Sequence, residues 1–394
     1  MTSNSISPKV KLVAIAKDEA AYLPEWIFHH LHFGFDAIDI YVNNTTDNTD
    51  ELSNALSEID SVTFIDGNDF FLSNAKTPQK KVYEHAFSLA KKSNFSHIMF
   101  LDIDEFWTPM DMVSSVSHCL SLIKSDVISF EWLNKIEDVP FSPAIESVIV
   151  GEHHRLVKSI TNLSININNL DIHNVSADGV LSVLADGTEA KFSKDNQQLE
   201  SIGEIKPYLV IHRMYRSRLE YISLLGRGRP KGGGTFKDNR NGFCYLEYEK
   251  KTIHLPQGNV DDYEQKRIEF FDHFISDDYM IKAHSFIELR YRNVLELIKN
   301  AEFNDFNVLK KILRNVGLSD VNLVYSDYLL SVSNYLSGQV TNALRDGAIA
   351  LENVDMEKSL SLMEVANTLR PRGPIIIKKI KQYKARLNHE GKNG

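Results

Sequence analysis

Phe100-Leu101-Asp102-Ile103-Asp104-Glu105-Phe106-Trp107 is an apolar run that breaks into three carboxylates and then turns apolar again. If the run stays extended through the break, side-chain alternation puts Asp102 and Asp104 on one face and turns Ile103 into the core. Two carboxylates at one spot repel each other unless a cation lies between them, and hard oxygen ligands suit Mg²⁺ or Mn²⁺ better than zinc. The competing reading is a strand end followed by a solvated acidic turn. A D-x-D triplet alone does not decide between the two, so the surrounding chain must.

Toward the N-terminus, short β-rich runs alternate with helical patterns. Val10 to Ala16 predicts a strand, Leu23 to Phe33 a helix, Ala37 to Val42 a strand, and the stretch from an Asp47 or Thr49 cap through Leu56 a helix. Val62 to Ile65 follows as a strand, Pro78 to Ala90 as a helix opened by its proline, and His97 to Leu101 as the strand that runs into the acidic break. Such alternation predicts crossover connections and a largely parallel sheet, where ligands collect beyond the carboxyl ends of the strands. Lys17-Asp18-Glu19, Asn43-Asn44-Thr45-Thr46-Asp47, Asp66-Gly67-Asn68-Asp69 and Asp102-Ile103-Asp104 all fall at such ends. Their convergence favours the cation.

At 394 residues the chain exceeds what one hydrophobic core usually organises, so two domains are expected. Hydrophobic residues at 43% and charged residues at 25% fit an ordinary globular protein. A formal net charge of -9 argues against bulk nucleic-acid binding, which needs a basic face. Cys119 and Cys244 offer neither a disulfide framework nor a thiolate metal site, and suit a reducing compartment. Met1 to Ser7 lacks the charged and apolar regions of a leader, and no window approaches a membrane span, so a cytoplasmic location is expected.

From Ser142 to Glu204 the pattern is less regular, with β-like pieces at Ser147 to Val150 and Asn162 to Ile167. Tyr208 to Ile211 then predicts a strand and Leu219 to Leu225 a short helix. Gly226-Arg227-Gly228-Arg229-Pro230-Lys231-Gly232-Gly233-Gly234 reads either as a solvated loop or as a lid whose cations meet a phosphate. After about Asp261 amphipathic helical patterns take over, at Tyr279 to Ile298, Val321 to Leu336, Thr341 to Leu351 and Lys358 to Leu369, loosely tetratricopeptide-like but without a clean period. The expected division is a sheet domain over 8–255 and a helical accessory domain over 256–394. The last helical stretch, Pro374 to Leu387, is basic and apolar together; it suits either packing on its own domain or peripheral contact with the inner face of the plasma membrane.

Several of these segments resemble a known family in order. Val13-Ala14-Ile15-Ala16-Lys17-Asp18-Glu19-Ala20-Ala21-Tyr22-Leu23-Pro24-Glu25-Trp26-Ile27 looks like the opening of family-2-like and family-92-like glycosyltransferases, with their K-N/D-E-x-x-Y-L-x-E-W signature. His30, Gly34-Phe35-Asp36, Tyr41-Val42-Asn43-Asn44, Gln79, Tyr83 and His85 continue it, and Leu101 to Phe106 matches the family's D-x-D-E-F. Lys158-Ser159-Ile160, His173, Ile211-His212-Arg213-Met214-Tyr215 and the 217–228 segment resemble later blocks, so the likeness spans about residues 10–230.

The resemblance implies an α/β protein of GT-A type, a Rossmann-like open mixed sheet with a C-terminal all-helical accessory domain. It further implies a metal-dependent, inverting transferase using a nucleotide-diphosphate sugar, with a UDP-sugar favoured by analogy, and Mn²⁺ or Mg²⁺ as cofactor. The partner is then a glycan or lipid-linked glycan acceptor in bacterial surface polysaccharide or lipopolysaccharide synthesis. Asp104 is the expected metal ligand, Asp102 either shares the ion or holds the donor ribose, and Glu105 is an outer partner. A late histidine completes such shells, His212 first and His173 second. Lys17, Glu19 and Asn43 are expected at the nucleotide, with Asp47 and Asp50 either there or capping the next helix. Arg227, Arg229 and Lys80 are expected at the diphosphate. The base that takes the acceptor proton is expected to be Glu131 or Asp171, although Trp132-Leu133-Asn134-Lys135 departs from the family's Phe-Gly-Ser-like turn in this region. Two other classes compete: a nucleotidyltransferase, which generally wants a Gly-rich loop that Ala14 to Glu19 lacks, and a non-catalytic scaffold with a degenerate sheet.

Overall fold

A computed structural model of the chain describes residues 7–72, 77–193, 197–227, 235–333 and 338–390. They order as β1 (Val10–Ala16), α1 (Leu23–His32), β2 (Ala37–Val42), α2 (Thr49–Ala55), β3 (Val62–Asp66), α3 (Asn68–Leu72), α4 (Pro78–Lys91), β4 (His97–Phe100), β5 (Glu105–Pro109) and α5 (Val116–Leu122). Next come β6 (Val127–Lys135), β7 (Val148–Asn162), β8 (Asn169–Leu170), β9 (Val175–Ser176), β10 (Ser182–Leu184), β11 (Tyr208–His212), α6 (Arg218–Leu225) and β12 (Lys250–His254). The remainder is α7 (Gln257–Phe274), α8 (Asp277–Lys299), a 3₁₀ turn at Phe303–Asp305, α9 (Phe306–Ile312), α10 (Ser319–Val332), α11 (Gln339–Leu351), α12 (Met356–Leu369) and α13 (Pro374–Glu390).

The chain divides into two compact units, Met1–Arg216 with Leu246–Phe286, and Ser217–Tyr245 with Ile287–Gly394. The division differs from the expected boundary at residue 255. α7 and the start of α8 group with the sheet, because Tyr263 packs on Phe28 at 5.2 Å and the Tyr279 hydroxyl donates to the Ala20 carbonyl at 2.7 Å. The 217–245 stretch groups with the later helices, where the Tyr221 hydroxyl donates to the Ile312 carbonyl at 2.8 Å.

In the first unit an open mixed sheet runs β3-β2-β1-β4-β7-β6-β11-β5, with β10 on β6 and β12 on β7. β3, β2, β1 and β4 are parallel neighbours, as their crossover helices require. β7 lies antiparallel between β4 and β6, and β11 is parallel to β6, so β4, β6 and β11 all point the same way. Residues following β1, β2, β3, β4 and β11 therefore emerge on one edge of the sheet. β6 is buried along its whole length, polar Ser129, Glu131, Asn134 and Lys135 included, and β1 and β4 are buried over most of theirs, because both faces of the sheet are covered there.

Two local features differ from expectation. β7 runs on from the expected piece at Ser147 to Val150 as one strand of fifteen residues, while the piece expected at Asn162 to Ile167 is, beyond Asn162, turn and irregular chain; a register shift opposite Glu131 and Trp132 interrupts the alternation of β7. Glu105 to Pro109 forms an additional strand, fully buried, paired antiparallel with β11. In the second unit, among the described residues, the elements are helical, and α10, α11, α12 and α13 pack successively around Leu329, Leu344, Leu362 and Tyr383.

Candidate functional site

β4 ends at Phe100, and Asp102-Ile103-Asp104 forms a tight turn rather than extended strand. This corrects the reading that both aspartates share one face. The Glu105 N–H donates to the Asp102 carbonyl at 3.0 Å, and the Glu105 carboxylate accepts from the Asp102 N–H at 2.8 Å. Arg213 N–H donates to the Asp104 carbonyl at 2.7 Å, so the chain after β11 holds the turn from the other side.

Helix α1, which carries the resemblance signature, fixes the strand beyond the turn. Trp26 Nε1–H donates to the Glu105 carbonyl at 2.8 Å, and His29 Nε2–H to the Trp107 carbonyl at 2.9 Å. His30 Nδ1–H donates to the Trp26 carbonyl at 2.8 Å while its Nε2 accepts from Trp107 N–H at 3.3 Å. Both histidines are fully buried and neutral; burial drops His30 to about 3 and puts His29 well below the usual histidine range.

The turn sends its two aspartates to different partners. Asp102 Oδ2 lies 3.4 Å from Lys158 Nζ, and Asp102 Oδ1 accepts from Gln79 at 3.4 Å. Lys158, 1% exposed on β7, also meets Glu105 at 3.1 Å. Burial opposes its charge, but Asp102 and Glu105 overcome that and hold the ammonium above the usual lysine range. No role for Lys158 is evident from the sequence. Its signals there are its place between apolar Val157 and Ile160 and in the Lys158-Ser159-Ile160 block of the resemblance, neither of which assigns it a task.

Asp104 Oδ2 instead lies 3.6 Å from His212 Nε2. His212 Nδ1 meets Asn134 Oδ1 at 2.9 Å, and Asn134 Nδ2–H donates to Glu152 at 3.0 Å. Glu152 is anchored by the backbone N–H groups of Glu247 and Tyr248, the latter at 2.7 Å. A carboxylate only accepts, so the Asn134 amide is fixed with its oxygen toward His212. His212 therefore carries a hydrogen on Nδ1, and as a neutral ring, the form a metal ligand needs, it turns the Nε2 lone pair toward Asp104. Gly151 permits this approach: a Cβ there would stand 2.7 Å from Leu133 Cγ and 2.9 Å from the Asn134 carbonyl.

A carboxylate oxygen and an imidazole lone pair 3.6 Å apart suit one divalent ion, whose adjacent ligands stand roughly 3 Å apart when each is about 2.1 Å from it. Asp102, engaged by Lys158, is not part of this pair. Among the described residues no group of three histidine, cysteine, aspartate or glutamate side chains converges as a metal cage. The donor set thus fits an ion that keeps open positions for water or phosphate.

The other expected residues fall in several places. At the end of β1, Asp18 takes a left-handed φ of 52° and accepts from Thr46 N–H at 2.7 Å, tying β1 to the loop after β2. Glu19 pairs with buried Arg216 at 3.2 Å, whose guanidinium stacks 3.3 Å over Tyr22. Asn43 is buried at the end of β2 and Lys17 is half-buried at the end of β1. Asp47 serves α2, accepting from Thr49 N–H at 3.1 Å, and Asp50 is exposed. Lys80 bonds to Asn169, which donates to Asp171 at 2.7 Å, so both of these expected residues belong to a side-chain chain reaching the β8–β9 hairpin. Glu131 is 2% exposed with its carboxylate 3.4 Å from His153. The structure thus unites Asp104 with His212, ties Asp171 to Asn169, and buries Glu131 beside His153 with neither carboxylate oxygen hydrogen-bonded among the described residues. Arg227 follows α6 in the second unit, and Arg229 lies outside the described residues.

No protein-family model matches the chain, and no curated protein matches it in sequence. Among solved structures it is similar to a cytidylyltransferase from Leptospira borgpetersenii serovar Hardjo-bovis, at 12% identity and a TM-score of 0.23, over 40% of this chain and 61% of that one. It is also similar to HddC from Yersinia pseudotuberculosis, at 12% identity and a TM-score of 0.25, over 45% of this chain and 91% of that one. The match spans less than two thirds of the first of these proteins. At such scores the fold is defined by its own strand order. No helix among the described residues is long and apolar enough to cross a membrane.

Proposed function

We propose that the chain is a metal-dependent glycosyltransferase of GT-A type that moves a sugar from a nucleotide-diphosphate donor to a glycan acceptor. The observation that carries this reading is the Asp104–His212 pair, with the His212 tautomer set by Asn134 and Glu152, at the sheet edge where β1, β2 and β4 also end. Asp104 and His212 would hold Mn²⁺ or Mg²⁺. When bound, the ion supplies neutralisation of charge on a departing diphosphate.

The chain's own groups do the rest. The Asn134–Glu152 relay keeps the His212 lone pair aimed. Lys158 and Gln79 hold Asp102 in place, where its remaining lone pairs are available to donor hydroxyls. Trp26, His29 and His30 hold the turn from behind, so that the geometry is in place before the donor arrives. Lys17 and Asn43 lie where the nucleotide belongs in such sheets.

The test is calorimetric titration with UDP, GDP, CDP and their sugars, each with and without Mn²⁺. One nucleoside diphosphate should bind at least about tenfold more tightly with the metal, and Asp104→Ala should remove that increment while leaving the unfolding temperature within a few degrees. Metal-independent binding, or an increment that survives Asp104→Ala, overturns the assignment. Stabilisation by a nucleoside triphosphate instead of the diphosphates points to nucleotidyl transfer.

A further inference from the structure

Of the residues expected on the acceptor side, Asp171 accepts from Asn169, and Glu131 is buried 3.4 Å from His153 with no hydrogen bond to its carboxylate among the described residues. Around Trp132 the structure gathers another set. The Trp132 ring is 4.2 Å from that of His212, 5.1 Å from His173 and 6.0 Å from His154, centroid to centroid. Backbone contacts fix the hydrogens on the two outer imidazoles. Leu156 N–H donates to His154 Nδ1 at 3.1 Å, so neutral His154 carries its hydrogen on Nε2 and presents a donor. His173 Nδ1–H donates to the Val157 carbonyl at 3.3 Å, which leaves the Nε2 lone pair as an acceptor.

Burial keeps both rings neutral, lowering His154 to about 4 and His173 to about 3. Neither Nε2 has a protein partner among the described residues, and both rings are only partly buried. The Trp132 indole N–H, in a side chain 6% exposed, is buried without a hydrogen-bond partner. Tyr248 closes the far side of His154, its ring 4.9 Å away. One donor and one acceptor thus flank the Trp132 ring, which touches His212 and carries the unpaired indole N–H. A hydroxyl both donates and accepts, so neighbouring hydroxyls of a sugar match this set; a phosphate, which only accepts, leaves the His173 lone pair unmet.

We propose that Trp132, His154 and His173 form the acceptor subsite, binding hydroxyls of a pyranose or polyol beside the Asp104–His212 pair. The His173 Nε2 lone pair accepts from one hydroxyl and His154 Nε2–H donates to its neighbour. Both imidazoles act as binding and orienting groups. The proposal rests on the glycosyl-transfer reading, and its test keeps the two apart.

Full-length protein is titrated with the methyl glycosides of glucose, galactose, mannose and N-acetylglucosamine and with ribitol, followed by saturation-transfer NMR and tryptophan fluorescence. Nucleotide titrations run in parallel. At least one saccharide should bind and perturb the fluorescence, and His154→Ala and His173→Ala should each weaken it by roughly tenfold, with nucleotide affinity held within about twofold. His154→Gln, which keeps a donor, should recover part of the loss, which a merely structural role would not produce. Binding equal in wild type and both alanine variants, or no binding by any saccharide of the panel, removes the subsite even where nucleotide and metal bind. Saccharide binding that needs both histidines in a protein that binds no nucleotide supports the subsite and removes the transfer reading.

Discussion

His212 shows how much one hydrogen matters. With its hydrogen on Nδ1 it presents a lone pair to Asp104, and with the other tautomer it presents an N–H; Asn134 and Glu152 select the first. Outer partners of this kind typically change metal affinity by roughly 10–100-fold. Asn134→Leu should therefore lower Mn²⁺ affinity in a direct titration by about that factor, and Asn134→Gln should restore less than Asn134 itself provides, because the longer amide cannot meet both neighbours at 2.9 and 3.0 Å. Equal Mn²⁺ affinity in wild type and Asn134→Leu would show that the relay does not set the ligand. Of this site, Asp102, Asp104 and His212 were legible as residue types at strand ends. Asn134, Glu152 and Lys158 were not, because each is an unremarkable polar residue until β6 and β7 pair across it.

At the level of elements, α1 is the support on which the acidic turn rests. Its Trp26, His29 and His30 each place one side-chain hydrogen bond on the backbone of β5, and both imidazoles are fully buried and neutral. The consequence is acid sensitivity. The unfolded chain takes up protons at these histidines below about pH 6.5 and the folded chain refuses them until far lower, about 3 for His30, so stability is intact above pH 6.5 and falls as the pH drops. The slope should be about 1.4 kcal/mol per pH unit for each such histidine. Urea unfolding at pH 7.5, 6.0 and 5.0 measures it, and His30→Gln should remove about one histidine's share. A stability flat over this range would contradict the neutral buried state. The pattern of α1 was clear in its helical spacing, but its partner β5 was hidden: Glu105 to Pro109 holds a charge and a proline, and becomes a strand only because β11 pairs with it.

For the molecule as a whole, the residues proposed to act all lie in the unit formed by Met1–Arg216 and Leu246–Phe286. Hydrogen exchange with the tightest-binding nucleotide and Mn²⁺ should therefore slow amides that follow β1, β2, β4 and β11, in proportion to RT ln(1 + [L]/Kd), about 2.7 kcal/mol at a hundredfold excess over Kd. Protection confined to the helices of the other unit would relocate the site. The helices α10 to α13 pack on one another in chain order, and their apolar spacing was readable beforehand because each buries one face against its sequence neighbour.

The sequence alone determined the strand and helix alternation of the first hundred residues, the carboxyl-end position of the polar segments and the identity of Asp104 and His212 as candidates. The alternation and the strand-end positions follow from local periodicity, which a chain carries without reference to distant parts, and His212 came from its place in the block that resembles the glycosyltransferase family. Only the tertiary structure decided that the acidic triplet is a turn rather than a strand, that Asp102 turns to Lys158 while Asp104 turns to His212, and that Asp171 bonds to Asn169 while Glu131 is buried beside His153. Those choices depend on which strands pair across more than fifty residues and on which side chains burial forces into hydrogen bonds, and no local pattern records either.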